Sequence, residues 1–217
     1  MQKLRFSSVF WDFGGVITSS PFEAFSKFEI DNHLPKGFIR KVNSTNHKTN
    51  AWAKLEQSKI SLDEFDELFR EESKSLGHEV SGGEVLSLLQ GEVRPEMVSA
   101  LEKLKMENFK LACLTNNFNS GDKNQSALDD ANKERMKIMN NFDHIIESKE
   151  LGIRKPDLDF YIKALEITGA DPKETIFLDD LGINLKPARE LGMATIKVLD
   201  SNQALKELTD LTGINLE

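Results

Sequence analysis

Five short runs in the chain are apolar almost without interruption: "SSVFW" from Ser7, "KLACLT" from Lys110, "HIIES" from His144, "TIFLD" from Thr175 and "ATIKVL" from Ala194. A strand with one wet face alternates polar and apolar side chains. A run that does not alternate suits a strand covered on both faces, as in a parallel sheet. Helical patterns separate the runs. "RPEMVSALEKLKMEN" sets Met97, Leu101 and Leu104 on one face. "DLDFYIKALEITG" sets Leu158, Tyr161, Ile162 and Leu165 together and stops at Gly169. "NLKPARELG" reads as a short helix closed by Gly192, with Asn184 as its N-cap. Strand and helix alternating from about Val93 onward is the pattern of βαβ units. The expected fold class is therefore α/β, a Rossmann-like parallel sheet built from residues 1–18 and 93–217.

Residues 19–92 break that rhythm, for they hold no strand-like run. "SLDEFDELFREESKSLG" opens with Ser61 and Glu64 in capping-box spacing and then places Phe65, Leu68 and Phe69 on one stripe. Phe22, Phe25 and Phe28 follow helical spacing as well. This segment is expected to be a helical insertion after the first strand. A second polar stretch, Asn119 to Asn141, reads as a surface loop leading into an exposed helix.

The 36 acidic residues against 28 lysines and arginines leave a formal charge of -8. A general nucleic-acid binder would carry a basic face, so that class is excluded. The single cysteine, Cys113, lies within an apolar strand and reads as a small buried hydrophobe. No stretch approaches the ~20 apolar residues of a membrane span, and no secretory leader is legible at the N-terminus. The expected compartment is the cytoplasm, and the Asn43-Ser44-Thr45 sequon reads as chance.

In open α/β sheets, ligands bind at the carboxyl ends of the strands. The first run delivers Asp12 there, and the second delivers Thr115, Asn116 and Asn117. The loop after the third delivers Arg154 and Lys155, and the fourth delivers Asp179 and Asp180. Taken singly, each has a plain structural reading: a strand-ending turn, a helix-cap acid, a loop lysine. Together, and in this order, they form the inventory for phosphoryl transfer through an aspartate. A carboxylate nucleophile needs a hard cation to approach a phosphate dianion. Hydroxyl and amide donors can hold the phosphoryl oxygens, and an ammonium can balance the charge that remains.

The stretches "WDFGGVI", "LTNN", "RKPDLDFY" and "FLDDLGINLKPARELGM" resemble the four motifs of the haloacid dehalogenase (HAD) superfamily. "DFGGVITSSPFEAF" and "DDLGINLKPARELGM" are particularly similar to the phosphatase-like group related to the N-terminal domain of soluble epoxide hydrolase. The resemblance covers nearly the whole chain and puts residues 19–92 where that family carries a small helical cap. It implies a Mg²⁺-dependent hydrolase of a small phosphorylated metabolite, with Asp12 as the nucleophile. It further implies Mg²⁺ ligation by Asp12, the Gly14 carbonyl and Asp180. Asp179 would act through water or orient Lys155. Thr115 and Asn116 would bind phosphate, Asn117 would face the substrate, and Lys155 would bridge phosphate and carboxylates.

One position departs from the pattern. Gly14 stands where such phosphatases usually carry the second aspartate, the acid and base of the reaction. That loss typically costs ~10²–10⁴-fold in rate. Three outcomes follow: hydrolysis limited to good leaving groups, a substitute such as His33, His47 or His78 or an ordered water, or ligand binding without turnover. A phosphonate hydrolase using Lys54 or Lys59, or a dehalogenase, is a further alternative. The retained pair Asp179-Asp180 speaks against dehalogenation, which needs no metal.

Overall fold

Each apolar run forms a strand in the computed structural model, which describes residues 6–89, 91–117 and 129–216. The strands are β1 (Ser8–Trp11), β2 (Lys110–Thr115), β3 (His144–Glu147), β4 (Thr175–Asp179) and β5 (Ala194–Lys197), and every pairing is parallel. Their order across the sheet is β3-β2-β1-β4-β5. The chain thus builds outward from β1 in one direction, then returns to build in the other. That reversal opens a crevice at the carboxyl ends of the central strands.

Five helices lie between β1 and the rest of the sheet: α1 (Phe22–Asp31), α2 (Phe38–Ser44), α3 (Ala51–Glu56), α4 (Leu62–Ser75) and α5 (Gly82–Ser87). After them come α6 (Pro95–Met106), α7 (Asp129–Met139), α8 (Ser148–Leu151), α9 (Leu158–Thr168), α10 (Gly182–Glu190) and α11 (Ser201–Thr212). None of the described helices is long and apolar enough to cross a membrane.

Strand periodicity explains why the runs do not alternate. Val9 and Trp11 point into one apolar cluster with Met97, Leu101 and Leu104 of α6 and Leu205 and Leu208 of α11. Phe10, between them, points into another with Phe160 and Tyr161 of α9 and Leu185 of α10. Both faces are covered, so both need apolar side chains. Truncating any one of these buried side chains to alanine would cost about 2–5 kcal/mol. Cys113 belongs to the first cluster, and burial raises its thiol pKa, the behaviour of an inert packing residue.

The insertion has its own apolar core of Phe25, Phe38, Leu55, Phe65 and Phe69, with Phe22, Phe28 and Leu68 half-buried against it. Ser61 and Glu64 form the reciprocal capping box at the start of α4. At its boundary, Thr18 and Val93 form an isolated antiparallel bridge. There Ser19 N–H donates to the Glu92 carbonyl at 2.7 Å, and Glu92 N–H donates to Ser19 Oγ at 3.0 Å.

Three local readings differ from the sequence pattern. On α9 the buried stripe is Phe160, Tyr161, Ala164 and Thr168, whereas Leu158 and Ile162 are 42% and 36% exposed. The sheet-facing side of this helix is rotated from the one the spacing suggested, with Leu165 at its edge. Helix α10 starts at Gly182, and Asn184 sits inside its first turn rather than capping it. The Asn184 amide is drawn back to Asp179, which also accepts the N–H of Leu181, the residue before the helix, at 2.8 Å. Finally, α7 is not wholly exposed, since Ile138 is buried against the sheet. Residues 119–128 of the polar stretch lie outside the described residues.

Candidate active site

Asp12 follows the last residue of β1, and its N–H donates to the Leu178 carbonyl at 2.9 Å, which fixes the end of β1 against β4. Its two oxygens are treated differently. Oδ1 accepts the Phe13 N–H at 2.7 Å and lies 3.0 Å from Lys155 Nζ. Oδ2 has no partner among the described residues. The turn that follows needs glycine at position 15, where φ is +79° and a Cβ would run into the Asp180 carboxylate. Position 14 is different: nothing lies within 4 Å of where its Cβ would be.

Lys155 is 1% exposed and sits between two carboxylates, with Asp179 Oδ2 at 2.7 Å on its other side. The four bonds to Asp179 account for its whole carboxylate. Leu181 N–H and the Asn184 amide reach Oδ1, and the same amide and Lys155 reach Oδ2. Asp180 is freer: its carboxylate accepts the Ser20 hydroxyl at 3.2 Å and its own backbone N–H.

The electrostatics follow from burial and crowding. Burial pushes Asp12 up to about 8; Lys155 offsets part of this, and Asp179 and Asp180 add to it. Burial and the Asp179 charge push Asp180 up to about 6. Burial alone would lower the Lys155 pKa, but Asp12 and Asp179 outweigh it and hold the ammonium above its ordinary range. Three carboxylates against one ammonium leave two negative charges unbalanced when all are ionised. One oxygen from each of Asp12, Asp179 and Asp180 lies within 4.8 Å of the others. An oxygen-only donor set with excess negative charge fits a hard divalent cation such as Mg²⁺. A bound cation would reverse the upward pKa shifts of the acids.

The remaining sequence candidates divide. Thr115 ends β2, buried, and its hydroxyl has no partner among the described residues. Asn116 pairs with the backbone of Lys155 in both directions: Nδ2 donates to the Lys155 carbonyl and Oδ1 accepts the Lys155 N–H, each at 2.9 Å. Its side chain therefore shapes the lysine loop. The Asn117 amide donates to Glu147 on β3, and its N–H donates to Ser148 Oγ at 3.0 Å. Its side chain is thereby tied to the sheet edge. Arg154 turns away from the acids toward the insertion, where it pairs with Glu56 and donates to the His47 carbonyl at 2.7 Å. His33 and His47 are exposed, and His78 packs edge-on against Phe38 inside the insertion.

Four residues around the site were not read as such from the sequence: Ser20, Glu56, Arg94 and Asn184. Arg94 donates to the Gly15 carbonyl at 3.2 Å and so braces the turn after Asp12. Only the Asn184 contact was within reach, since a polar side chain five residues after a strand-end acid can fold back onto it.

A three-layer parallel sheet with acids gathered at the carboxyl ends of its central strands places this chain among the Rossmann-like α/β enzymes. A family model described as haloacid dehalogenase-like hydrolase matches residues 6–192, and the chain belongs to that family. It is 32% identical over 201 residues to bifunctional epoxide hydrolase 2 of Mus musculus, covering 88% of this chain and 36% of that protein. It is 30% identical over 170 residues to the sesquiterpene phosphatase astK of Aspergillus oryzae, covering 76% of this chain and 81% of that protein. A HAD family enzyme from Bacteroides thetaiotaomicron, solved in complex with magnesium and inorganic phosphate, superposes with a TM-score of 0.58 at 24% identity. The match covers 88% of this chain and 93% of that one. The chain spans only 20–36% of the length of acyl-CoA dehydrogenase family member 10 of Mus musculus and of the bifunctional epoxide hydrolases 2 that it matches.

Proposed function

We propose that this hydrolase cleaves phosphoric monoesters of small metabolites through a phosphoaspartate at Asp12, with Mg²⁺ as cofactor. The observation that carries the reading is the split environment of Asp12. One oxygen is pinned by the Phe13 N–H and Lys155, and the other is without a partner at the strand end. A carboxylate held this way presents one lone pair to an incoming phosphorus. In its first step Asp12 Oδ2 attacks phosphorus and the ester P–O bond breaks. The leaving oxygen then takes a proton from water, since Gly14 offers none. In the second step water attacks the acyl phosphate, releasing inorganic phosphate and restoring Asp12.

Lys155 holds one positive charge against the phosphoryl oxygens throughout, and its pairing with Asp179 keeps it aimed. Thr115 Oγ1 and the Asn116 N–H supply further donors. Asp12, Asp180 and the Gly14 carbonyl would hold Mg²⁺, with Asp179 saturated by its own donors and acting as the orienting acid. When bound, the ion supplies charge neutralisation and polarisation of the phosphoryl group. The astK relative, named as a phosphatase, and the magnesium and phosphate in the Bacteroides enzyme support the same chemistry. In this reading residues 19–92 form the small cap that selects the substrate.

A second reading is favoured by Gly14: a protein that binds phosphometabolites without turning them over. The test is hydrolysis of an aryl phosphate with Mg²⁺ and with EDTA, beside an Asp12→Asn control. Metal-dependent turnover that disappears in the control is expected. Turnover equal to that of the control, in folded protein, would overturn the hydrolase reading in favour of the binder.

A further inference from the structure

Among the described residues of the insertion, four polar side chains are buried: Glu29, Asn50, Glu56 and Ser73. Three serve their own segment. Glu29 accepts the Gly37 and Ile39 N–H groups, Asn50 caps α3, and Ser73 binds the Val80 N–H. Glu56 does not. It is the last residue of α3, where the helix dipole disfavours an anion, and it is only 9% exposed, which penalises a carboxylate further. Two costs at one residue call for compensation, and most of it comes from the core. Arg154 forms an ion pair with it. Asn116 Nδ2 lies 3.5 Å from Oε2, and Trp52 Nε1, one turn back on α3, donates to Oε1 at 3.0 Å. The Glu56 carbonyl also accepts the hydroxyl of Ser148, a fully buried residue, at 2.7 Å.

These contacts converge on the two loops that set Lys155. Asn116 binds both polar groups of the Lys155 backbone, and Arg154 immediately precedes it. We propose that Glu56 is a positioning residue of the active site, tying the seated insertion to the Asn116 and Arg154 loops so that Lys155 is held against Asp12. The proposal rests on the hydrolase reading for its kinetic consequence, but its structural half stands apart from it.

The experiment is amide hydrogen exchange on the full chain for wild type, Glu56→Gln and Glu56→Ala, with aryl phosphate kinetics on the same samples. The reporters are the amides of Asn117, bound to Ser148 Oγ, and Lys155, bound to Asn116 Oδ1. In Glu56→Ala both are expected to exchange roughly tenfold faster or more, with Phe10, Phe177 and Phe69 unchanged, which excludes general unfolding. Glu56→Gln keeps the shape and an acceptor oxygen, so it should fall between; it also carries the test if the alanine variant does not fold. In the kinetics, kcat is expected to drop roughly tenfold in Glu56→Ala with a smaller change in KM, and Glu56→Gln to recover part of it. Unchanged exchange at both reporters would overturn the proposal, as would faster exchange with kcat and KM intact. Absence of turnover in the wild type would defeat the hydrolase reading alone, and the exchange rates would then decide the role of Glu56.

Discussion

Placing an acid at position 14 is the most direct test of the proposal that Gly14 makes turnover selective. Gly14 is exposed at the mouth of the site, its Cβ position is open to 4 Å, and its φ lies outside the left-handed region. Gly14→Asp should therefore enter without backbone strain. The introduced carboxyl joins acids already within 4.8 Å of one another. At that spacing and an effective dielectric near 20, like charges repel by roughly 3 kcal/mol. Repulsion raises the pKa of the new group, which suits an acid that must deliver a proton near neutral pH. The gain expected from a positioned acid and base is ~10²–10⁴-fold, or about 2.7–5.5 kcal/mol of barrier. It should appear on alkyl phosphates, whose leaving alkoxide needs the proton, and hardly on aryl phosphates. The assay is kcat/KM for an alkyl and an aryl phosphate in both proteins with Mg²⁺. The alkyl-to-aryl ratio should rise by about two to four decades. An unchanged ratio in a folded, Mg²⁺-binding variant would refute the claim that Gly14 is what limits the leaving group.

Other consequences are open to measurement. Gly15→Ala forces a side chain into positive φ and against Asp180, so denaturant titration should show a loss of about 1–2 kcal/mol or more, with weaker Mg²⁺ binding by calorimetry. Mg²⁺ at a hundredfold its Kd should stabilise the wild type by about 2.7 kcal/mol, and thermal unfolding of Asp180→Asn should lose most of that response. The Gly83 N–H, the Ser81 hydroxyl and Arg70 hold Asp66 down to about 2. A depressed carboxylate binds fewer protons folded than unfolded, so its contribution is complete above about pH 4 and fades as pH falls toward 2. Because the side chain is 33% exposed, that contribution should be only about 1 kcal/mol. The pH dependence of unfolding over that window should flatten in Asp66→Asn.

The sheet was legible because its strands are buried on both faces and so write themselves as unbroken apolar runs. The strand-end acids and Lys155 were legible because the strand before each was recognisable. What could not be read was geometry that depends on distant partners. Nothing near Glu56 announces Arg154, which lies almost a hundred residues on, and "AWAKLEQ" reads as an ordinary short helix. The phase of α9 differs from its sequence spacing for a related reason. Leu158 and Ile162 are as apolar as Phe160 and Ala164, and only the position of the sheet decides which pair is covered. Asn184 is a good capping residue by composition, but it lies inside the first turn, where its Nδ2 donates to a buried acid five residues back.

The crossing at Thr18 and Val93 has a topological consequence. The chain leaves the sheet layer and returns to it at one spot, with Ser19 bonded to Glu92 and Gly91 small enough for the two backbones to pass. From the sheet, the seventy-odd residues between are a hairpin whose length it cannot feel. Closure entropy grows only as the logarithm of that length, so the excursion can be lengthened, shortened or exchanged while β1 and α6 stay in place. In the proposed reading, the segment that would select the molecule can vary in length at this crossing, provided that the contacts of Glu56 with Arg154, Asn116 and Ser148 are kept.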